Sequence, residues 1–309
     1  MQTIQCEIRS RLPVGRESRR LFHGRGHCFP GYEDLLIDWY APVLLLSLYA
    51  PREEDWLQQL VRMLLSEVSK AKTILLQERF LLDGPVRTLY GNPPEEMEVV
   101  EAALRYRLRI GKALNIGFFP DMAVGRSLVR QLAKGKRVLN LFAYSCSFSV
   151  AALAGGAQQV VNLDMNSGAL ELGRLNHRIN QLDLRQVSFL PLELFRSIGK
   201  LKKLGPFDLV ICDPPAYQGK NFKAERDWPK LLRKLPDLLT GKGDLLACLN
   251  GPHLPPGFLT DLIAELRPEL TMEQQLQPGG DFPEAEDSRG VWIFHYRSHR
   301  AVDQISGRS

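Results

Sequence analysis

The residues best suited to chemistry stand at three points in the second half of the chain, each closing a short apolar run. The most specific is Cys212-Asp213-Pro214-Pro215-Ala216-Tyr217. Two prolines after an acid fix a rigid turn, and a turn at the carboxyl end of a buried strand is where ligands bind in parallel sheets. Its carbonyls can accept hydrogen bonds from the edge of a base. Tyr217 offers a face on which a flat ring stacks, worth roughly 1–3 kcal/mol per base; the structural alternative is a Pro-Pro turn with an exposed tyrosine. Upstream, Asp164 closes the run Val160-Val161-Asn162-Leu163. A carboxylate there can hydrogen-bond both hydroxyls of a ribose, and aspartate also suits a helix N-cap. Before it, Leu139-Asn140-Leu141-Phe142-Ala143-Tyr144-Ser145-Cys146-Ser147-Phe148 passes from an apolar run through small residues into a helical pattern. Such a loop lets backbone N–H groups approach a polar ligand at a helix N-terminus. It is not G-x-G-x-x-G, and alone it reads as an ordinary turn between strand and helix. Taken with Asp164, it points to a cofactor containing a nucleoside.

A parallel sheet would present all three points on one edge, and the pattern from residue 136 onward predicts one. Short apolar runs at 138–142, 160–163, 188–190, 207–212, 244–249 and 291–296 alternate with helical patterns at 147–154, 169–180, 228–239 and 258–266. This rhythm implies an α/β, Rossmann-like, doubly wound and mostly parallel sheet. A smaller α+β domain precedes it. Residues 35–40 and 43–49 read as a hairpin about Ala41-Pro42. Trp56, Leu57, Leu60, Val61, Leu64, Leu65 and Val68 mark one face of a helix over 53–70, with Glu53, Glu54 and Asp55 in its first turn, where the helix dipole favours acids. Residues 73–77 and 98–110 read as extended segments. The expected organisation is a basic lead-in over 1–29, a small α+β domain over 30–114 and the larger domain over 115–309. Arg9, Arg11, Arg16, Arg19, Arg20 and Arg25 make the lead-in either a partly ordered segment or a basic arm for phosphates.

Composition bounds these readings. A chain of 309 residues suggests two domains at roughly 150 residues each. With 44% hydrophobic and 24% charged residues, a wholly disordered chain is excluded. The net charge of +5 is compatible with a nucleic-acid partner without naming one. Cys6, Cys28, Cys146, Cys212 and Cys248 form no C-x-x-C pair, and the six histidines show no ligand spacing, so no metal is expected and a reducing compartment is. The apolar run 43–49 is too short to span a bilayer, which leads to the expectation of a cytoplasmic protein.

The set Asn140-Leu141-Phe142-Ala143-Tyr144-Ser145, Asp164 and Asp213-Pro214-Pro215-Ala216-Tyr217 resembles class I S-adenosylmethionine-dependent methyltransferases. More narrowly, it is similar to the bacterial 23S rRNA large-subunit methyltransferase I and K/L group. The segment Gly117-Phe118-Phe119-Pro120-Asp121 followed by Arg126 belongs to that likeness. Residues 32–51, with Asp38, Tyr40 and Tyr49-Ala50-Pro51, are similar to the K-type part. The resemblance covers residues from about 20 to 297 and is strongest over 115–220. It implies S-adenosyl-L-methionine as cofactor. Phe119, Asp121 and Arg126 would shape its methionine end, and Asn140, Phe142, Tyr144 and Ser145 its middle. Asp164 would hold the ribose, Met165 would lie beside the adenine, and Glu193, with Phe195 after it, stands where the family usually has an aspartate near the adenine amine. Asp213 would touch the cofactor as well and, with Pro214, Pro215 and Tyr217, would meet the target base.

Two positions depart from the family pattern. Cys146 replaces a usual glycine, and its Cβ is expected to narrow the approach to the cofactor. Ala123 stands where an arginine is often found. A cytosine-C5 reaction would need a thiolate. Asn250 occupies the position expected for the family's cysteine, as in K-type enzymes, while Cys248 alternates with Leu246 and Cys212 precedes the turn, so both read as buried. Transfer to a nitrogen is therefore expected. A guanine N7 brings its own lone pair, whereas an exocyclic amine needs its lone pair freed, for which Asp213 and the Pro214 carbonyl are suited. Lys220, Lys223, Arg226 and Lys230, interleaved with Phe222 and Trp228, suit an RNA strand or equally a solvated helix start with Trp228 in the core. The resulting expectation is an RNA methyltransferase acting at a guanine nitrogen, with 23S rRNA or a pre-ribosomal particle as partner. The rivals are a methyltransferase for a protein or small molecule, and a non-catalytic S-adenosylmethionine-binding ribosome assembly factor, which Cys146 would favour.

Overall fold

The computed structural model describes residues 1–111, 114–215, 217–218, 222–251 and 253–300, with Tyr217 and Gln218 described by their backbone alone. The chain divides into two compact units: Met1–Ala123 with Pro278–Arg289, and Val124–Gln277 with the chain from Gly290.

The first unit opens with α1 (Gln2–Ser10) and β1 (Arg19–His23). β2 (Leu35–Tyr40) and β3 (Val43–Leu48) form the expected antiparallel hairpin. α2 (Glu54–Glu67) then crosses over to β4 (Thr73–Glu78), which lies parallel to β3. β5 (Val86–Tyr90) completes a sheet in the order β1-β2-β3-β4-β5. Leu57, Leu60, Val61 and Leu64 of α2 share one core with Ile4 and Ile8 of α1 and with the inner strands.

Residues 1–29 differ from the expected basic lead-in, because they are built into this unit. Ile4 and Ile8 bury α1, and four of the arginines have partners. Arg9 pairs with Glu67 at 2.6 Å, Arg11 donates to the Leu21 carbonyl at 2.7 Å, Arg19 meets Asp281 at 2.9 Å, and Arg20 is buried against Asp38 at 2.5 Å. Asp281 comes from the returning segment Pro278–Arg289, whose Phe282 also lies 5.1 Å beneath the Arg20 guanidinium. The arginines read as a free cluster in the sequence because Asp38, Glu67 and Asp281 are remote from them along the chain.

The extended segment expected over 98–110 is a hairpin of β6 (Met97–Glu101) and β7 (Leu104–Leu108). Ala102 and Ala103 turn it with φ of 50° and 65°. Two-residue turns of this hand are usually marked by Asn or Gly, and a pair of alanines carries no such mark.

α3 (Ala123–Leu132) leads into the second unit. Its chain order is β8 (Arg137–Leu141), α4 (Ser147–Ala154), β9 (Gln159–Asp164), α5 (Ser167–Ile179), β10 (Val187–Pro191), α6 (Leu194–Leu204) and β11 (Phe207–Cys212). Two short strands, β12 (Tyr217–Gln218) and β13 (Phe222–Lys223), precede α7 (Ala224–Lys234), β14 (Leu239–Leu249), α8 (Pro256–Leu266), β15 (Leu270–Leu276) and β16 (Trp292–Ser298). The main sheet runs β10-β9-β8-β11-β14-β16-β15, parallel except that β16 is antiparallel to both of its neighbours. This is the doubly wound, mostly parallel α/β sheet that the alternating pattern predicts.

Buried parallel strands read as continuous apolar runs, which is why β8, β9 and β11 are legible. β15 is not, since its residues from Thr271 to Gln275 are exposed at the sheet edge. From β8 the chain steps one way to β9 and β10, and the other way to β11 and β14. That reversal opens a crevice at the carboxyl ends of β8 and β11, where doubly wound sheets bind ligands. Phe142, Asp164 and Asp213 all stand at strand ends on this edge.

Candidate active site

The loop from β8 to α4 has an unusual backbone. Phe142, Tyr144 and Cys146 have φ of 57°, 45° and 59°, alternating with residues of ordinary conformation. Each such non-glycine residue costs of order 1–3 kcal/mol, so surrounding contacts must hold the loop. Tyr144 donates its N–H to Asp164 Oδ2 at 2.8 Å, and Ala143 donates to the Leu163 carbonyl at 3.0 Å. Asn176 of α5 donates to the Ser145 carbonyl at 2.9 Å.

Cys146 does not narrow the cleft in the way its Cβ suggested. Its side chain is fully buried in a small cluster with Ala143 and Leu170, against Phe189. Room for it comes from Gly173 in α5, where an added Cβ would lie 2.4 Å from the Cys146 sulfur. Gly173→Ala is therefore expected to destabilise the protein by about 1–3 kcal/mol in urea denaturation. Adding Cys146→Gly should recover most of that loss, because it removes the atom that clashes. Additive losses in the double variant would contradict the pairing.

Beneath the loop runs a buried polar chain. Asn140 Nδ2 donates to Asn162 Oδ1 at 2.9 Å, and Asn162 Nδ2 donates to Ser149 Oγ at 3.0 Å. Ser149 Oγ lies 2.9 Å from His177 Nε2, and His177 Nδ1 lies 2.7 Å from the Gly173 carbonyl. A carbonyl only accepts, so Nδ1 carries the proton and Nε2 accepts from the serine hydroxyl. With His177 neutral the serine hydroxyl donates to Nε2, whereas a protonated ring would leave that hydrogen without an acceptor in the chain. Asn140 is thus a buried residue, 1% exposed, tied into the scaffold beneath the loop. Ser145, 2% exposed, likewise supports the loop.

Burial holds His177 down from 6.5 to about 4. Above pH 6.5 the ring is neutral whether folded or unfolded. Below it the unfolded chain takes up a proton that the folded chain refuses until about pH 4. Stability should fall across this window as the pH drops, by about 3 kcal/mol from this residue. Urea denaturation at pH 7 and pH 4 checks the loss, and His177→Gln should remove that share of it.

The carboxyl ends of β9 and β10 enclose a cleft of about 320 Å3, including its open mouth. Phe142, Asp164, Met165, Glu193 and Phe195 line it together, joined by Leu192 and Phe222, which reasoning from sequence did not place there. Phe222 meets Phe142 edge to face at 5.0 Å, and the only sequence signal for it was an aromatic after the Pro-Pro turn. Asp164 accepts N–H groups from Tyr144 on one oxygen and from Asn166 on the other, each at 2.8 Å. Each carboxylate oxygen keeps further acceptor capacity. Burial raises the Asp164 carboxyl above its ordinary value, only partly offset by those N–H groups. Glu193 caps α6, accepting from the N–H of Phe195 at 3.0 Å and of Arg196 at 2.7 Å. A largely apolar cleft lined by two carboxylates has the groups that an adenosine moiety calls for: apolar walls for a flat ring and acceptors for hydroxyls and an exocyclic amine.

The Asp-Pro-Pro turn follows β11. Asn250, just past β14, donates from Nδ2 to Asp213 Oδ1 at 2.6 Å and to the Pro214 carbonyl at 3.2 Å. The Tyr217 side chain, Ala216 and Lys220 lie outside the described residues. Cys212 and Cys248 are fully buried, and burial pushes the Cys212 thiol well up. Neither supplies an accessible thiolate.

The basic loop is partly neutralised. Asp227, 1% exposed, accepts from Arg226 and from Lys230, each ion pair being 2.8 Å or shorter. Burial pushes its carboxyl up, but these partners more than offset that, leaving it at about 2. Trp228 is buried in the core, as the structural alternative had it. Arg126 is a buried residue of α3, 2% exposed. Phe119, 44% exposed, and Asp121 fall in the first unit, around the single turn Pro120–Met122.

The sequence profile of the S-adenosylmethionine-dependent methyltransferase family matches residues 19–297. The ribosomal RNA large subunit methyltransferase I of Aeromonas hydrophila is 32% identical over 195 residues, which are 60% of this chain and 49% of that protein. The protein of the same name from Enterobacter sp. (strain 638) is 29% identical over 210 residues, 66% of this chain and 52% of that one. The chain thus spans about half the length of the curated relatives it matches. Among solved structures, SMU.776, described as a methyltransferase complexed with SAH, superposes with a TM-score of 0.85 at 23% identity, over 96% of this chain and 79% of that chain. A SAM-dependent methyltransferase structure from Streptococcus mutans gives 0.84 at 23% identity, over 96% and 81%. These structural likenesses speak to the fold.

Proposed function

Because the chain belongs to the S-adenosylmethionine-dependent methyltransferase family, we propose that it transfers a methyl group from S-adenosylmethionine to a guanine nitrogen of RNA, with 23S rRNA or a pre-ribosomal particle as partner. The observation that carries the cofactor half is the cleft at the ends of β9 and β10, with Asp164 in its lining. In this reading Asp164 takes the ribose hydroxyls, Met165 and Phe195 flank the adenine, and Glu193 lies near its amine. Phe142 and the backbone of Tyr144 line the middle, while Arg126 shapes the methionine end. When bound, the cofactor would supply a methyl group already activated by its sulfonium for transfer to a lone pair of the acceptor.

The protein's own task is then alignment and exclusion of water. Asp213, Pro214 and Pro215 would hold the base at the switch point, with Tyr217 as the stacking face. Nitrogen is favoured over cytosine C5 because Cys212 and Cys248 are buried and Asn250 stands beside the turn. RNA as substrate draws on the names of the relatives. Cys146 gives no support to a non-catalytic role, since Gly173 accommodates it.

The test is transfer of isotopically labelled methyl from S-adenosylmethionine to rRNA from cells lacking the protein, followed by nucleoside mass spectrometry. A labelled methylguanosine supports the reading. Label on protein or small molecules alone would overturn the RNA assignment.

A further inference from the structure

We infer that Asn250 is a positioning residue that biases which nucleophile the Asp-Pro-Pro turn accepts: its carboxamide donates to Asp213 Oδ1 and the Pro214 carbonyl, the two acceptors that a target amine would also use. The inference rests on the reading of the chain as a methyltransferase acting on a base nitrogen. β14 lies parallel to β11 with Cys212 opposite Ala247, so the residues just beyond the two strand ends are brought side by side. Asn250 Nδ2 then stands 2.6 Å from Asp213 Oδ1 and 3.2 Å from the Pro214 carbonyl. A carboxamide nitrogen carries two hydrogens, one for each acceptor. The opposite amide orientation would set oxygen against two oxygens, so the neighbours fix it.

The chemical consequence follows from proton bookkeeping. An exocyclic amine that gains a methyl group must give up an N–H proton, and that proton needs an acceptor. A carboxylate that already accepts an N–H is a weaker base, because the hydrogen bond favours its charged form. The neighbouring carbonyl is engaged as well. A ring nitrogen with its own lone pair loses no proton. It ends with a positive charge on the base, which a fixed carboxylate stabilises. Asn250 therefore weakens the Asp-Pro-Pro turn as a proton acceptor for amines and favours its use as a fixed negative group for a ring nitrogen.

Two readouts test this, one of them independent of turnover. In 15N-labelled protein the Asn250 side-chain amide protons should exchange with solvent at least about tenfold more slowly than in Asp213→Ala. In methyl-transfer assays on unmodified rRNA, wild type should yield a ring-nitrogen product only. Asn250→Ala should bind the cofactor within about twofold of wild type, lose about 10- to 100-fold in kcat, and show an acidic limb of its pH–kcat profile moved to higher pH, with an exocyclic-amine product appearing. Asn250→Ser, which keeps one donor, should fall between the two and serves if Asn250→Ala does not fold. Fast exchange in wild type, an exocyclic-amine product from wild type, or variants matching wild type in rate, pH profile and product would each overturn the inference. Absence of methyl transfer to any RNA nitrogen would instead overturn the functional reading, with the exchange result still reporting on the clamp.

Discussion

Replacing Asp164 with alanine is expected to weaken S-adenosylmethionine binding more than about a hundredfold in calorimetry. Hydrogen bonds to a charged acceptor contribute roughly 1.5–3 kcal/mol each, and the ribose offers two hydroxyls; about 3 kcal/mol is already two decades in Kd. The same carboxylate receives the N–H groups of Tyr144 and Asn166, so alanine also unpins the loop that carries three left-handed residues. The chain should remain folded, at a cost of about 1–3 kcal/mol in urea denaturation. Asp164→Asn should be intermediate in both measurements. Since burial raises this carboxyl above 3.8, acid should weaken cofactor binding earlier than it would with an exposed aspartate. Unchanged affinity in Asp164→Ala would remove the ribose assignment.

Asp213→Ala is expected to do the reverse. It should lower kcat by about a thousandfold, in the range seen when a preorganised charge-stabilising group is removed, while changing the cofactor Kd by less than about threefold. The expectation follows from placement, since Asp213 follows β11 beside Asn250, whereas the cofactor cleft is lined from the ends of β8, β9 and β10 and from Phe222. Asp213→Asn keeps the shape and removes the charge, so a comparable loss in that variant would assign the effect to charge. Equal losses in binding and turnover would place Asp213 in the cofactor site instead.

Much of this site is legible in the sequence because each part ends a buried strand, and buried parallel strands are continuous apolar runs. The runs before Phe142, Asp164 and Asp213 mark their own ends. Side-chain direction is less legible. Asn140 and Ser145 lie in the right loop region but face inward, and nothing local distinguishes a cofactor contact from a link in the Asn140–Asn162–Ser149–His177 chain. Pairings between distant residues are hidden for the same reason. Cys146 departs from the family pattern until Gly173 is seen beside it, and Asn250 shows only that a cysteine is missing until it is found on Asp213. The arginines of residues 9–25 leave a phosphate-binding arm open as one reading beside a partly ordered segment, because Asp38, Glu67 and Asp281 are far away along the chain. If RNA binds, its salt dependence should therefore owe little to Arg9, Arg11, Arg19 and Arg20, which are already paired.

Methylation of RNA at a guanine nitrogen is the proposed activity of this chain. The most direct measurement is quantitative mass spectrometry of rRNA nucleosides from cells lacking the protein, compared with the parent strain. One methylated guanosine should be missing, restored by the wild-type chain and not by Asp213→Ala. An rRNA nucleoside profile identical to the parent's would contradict the account.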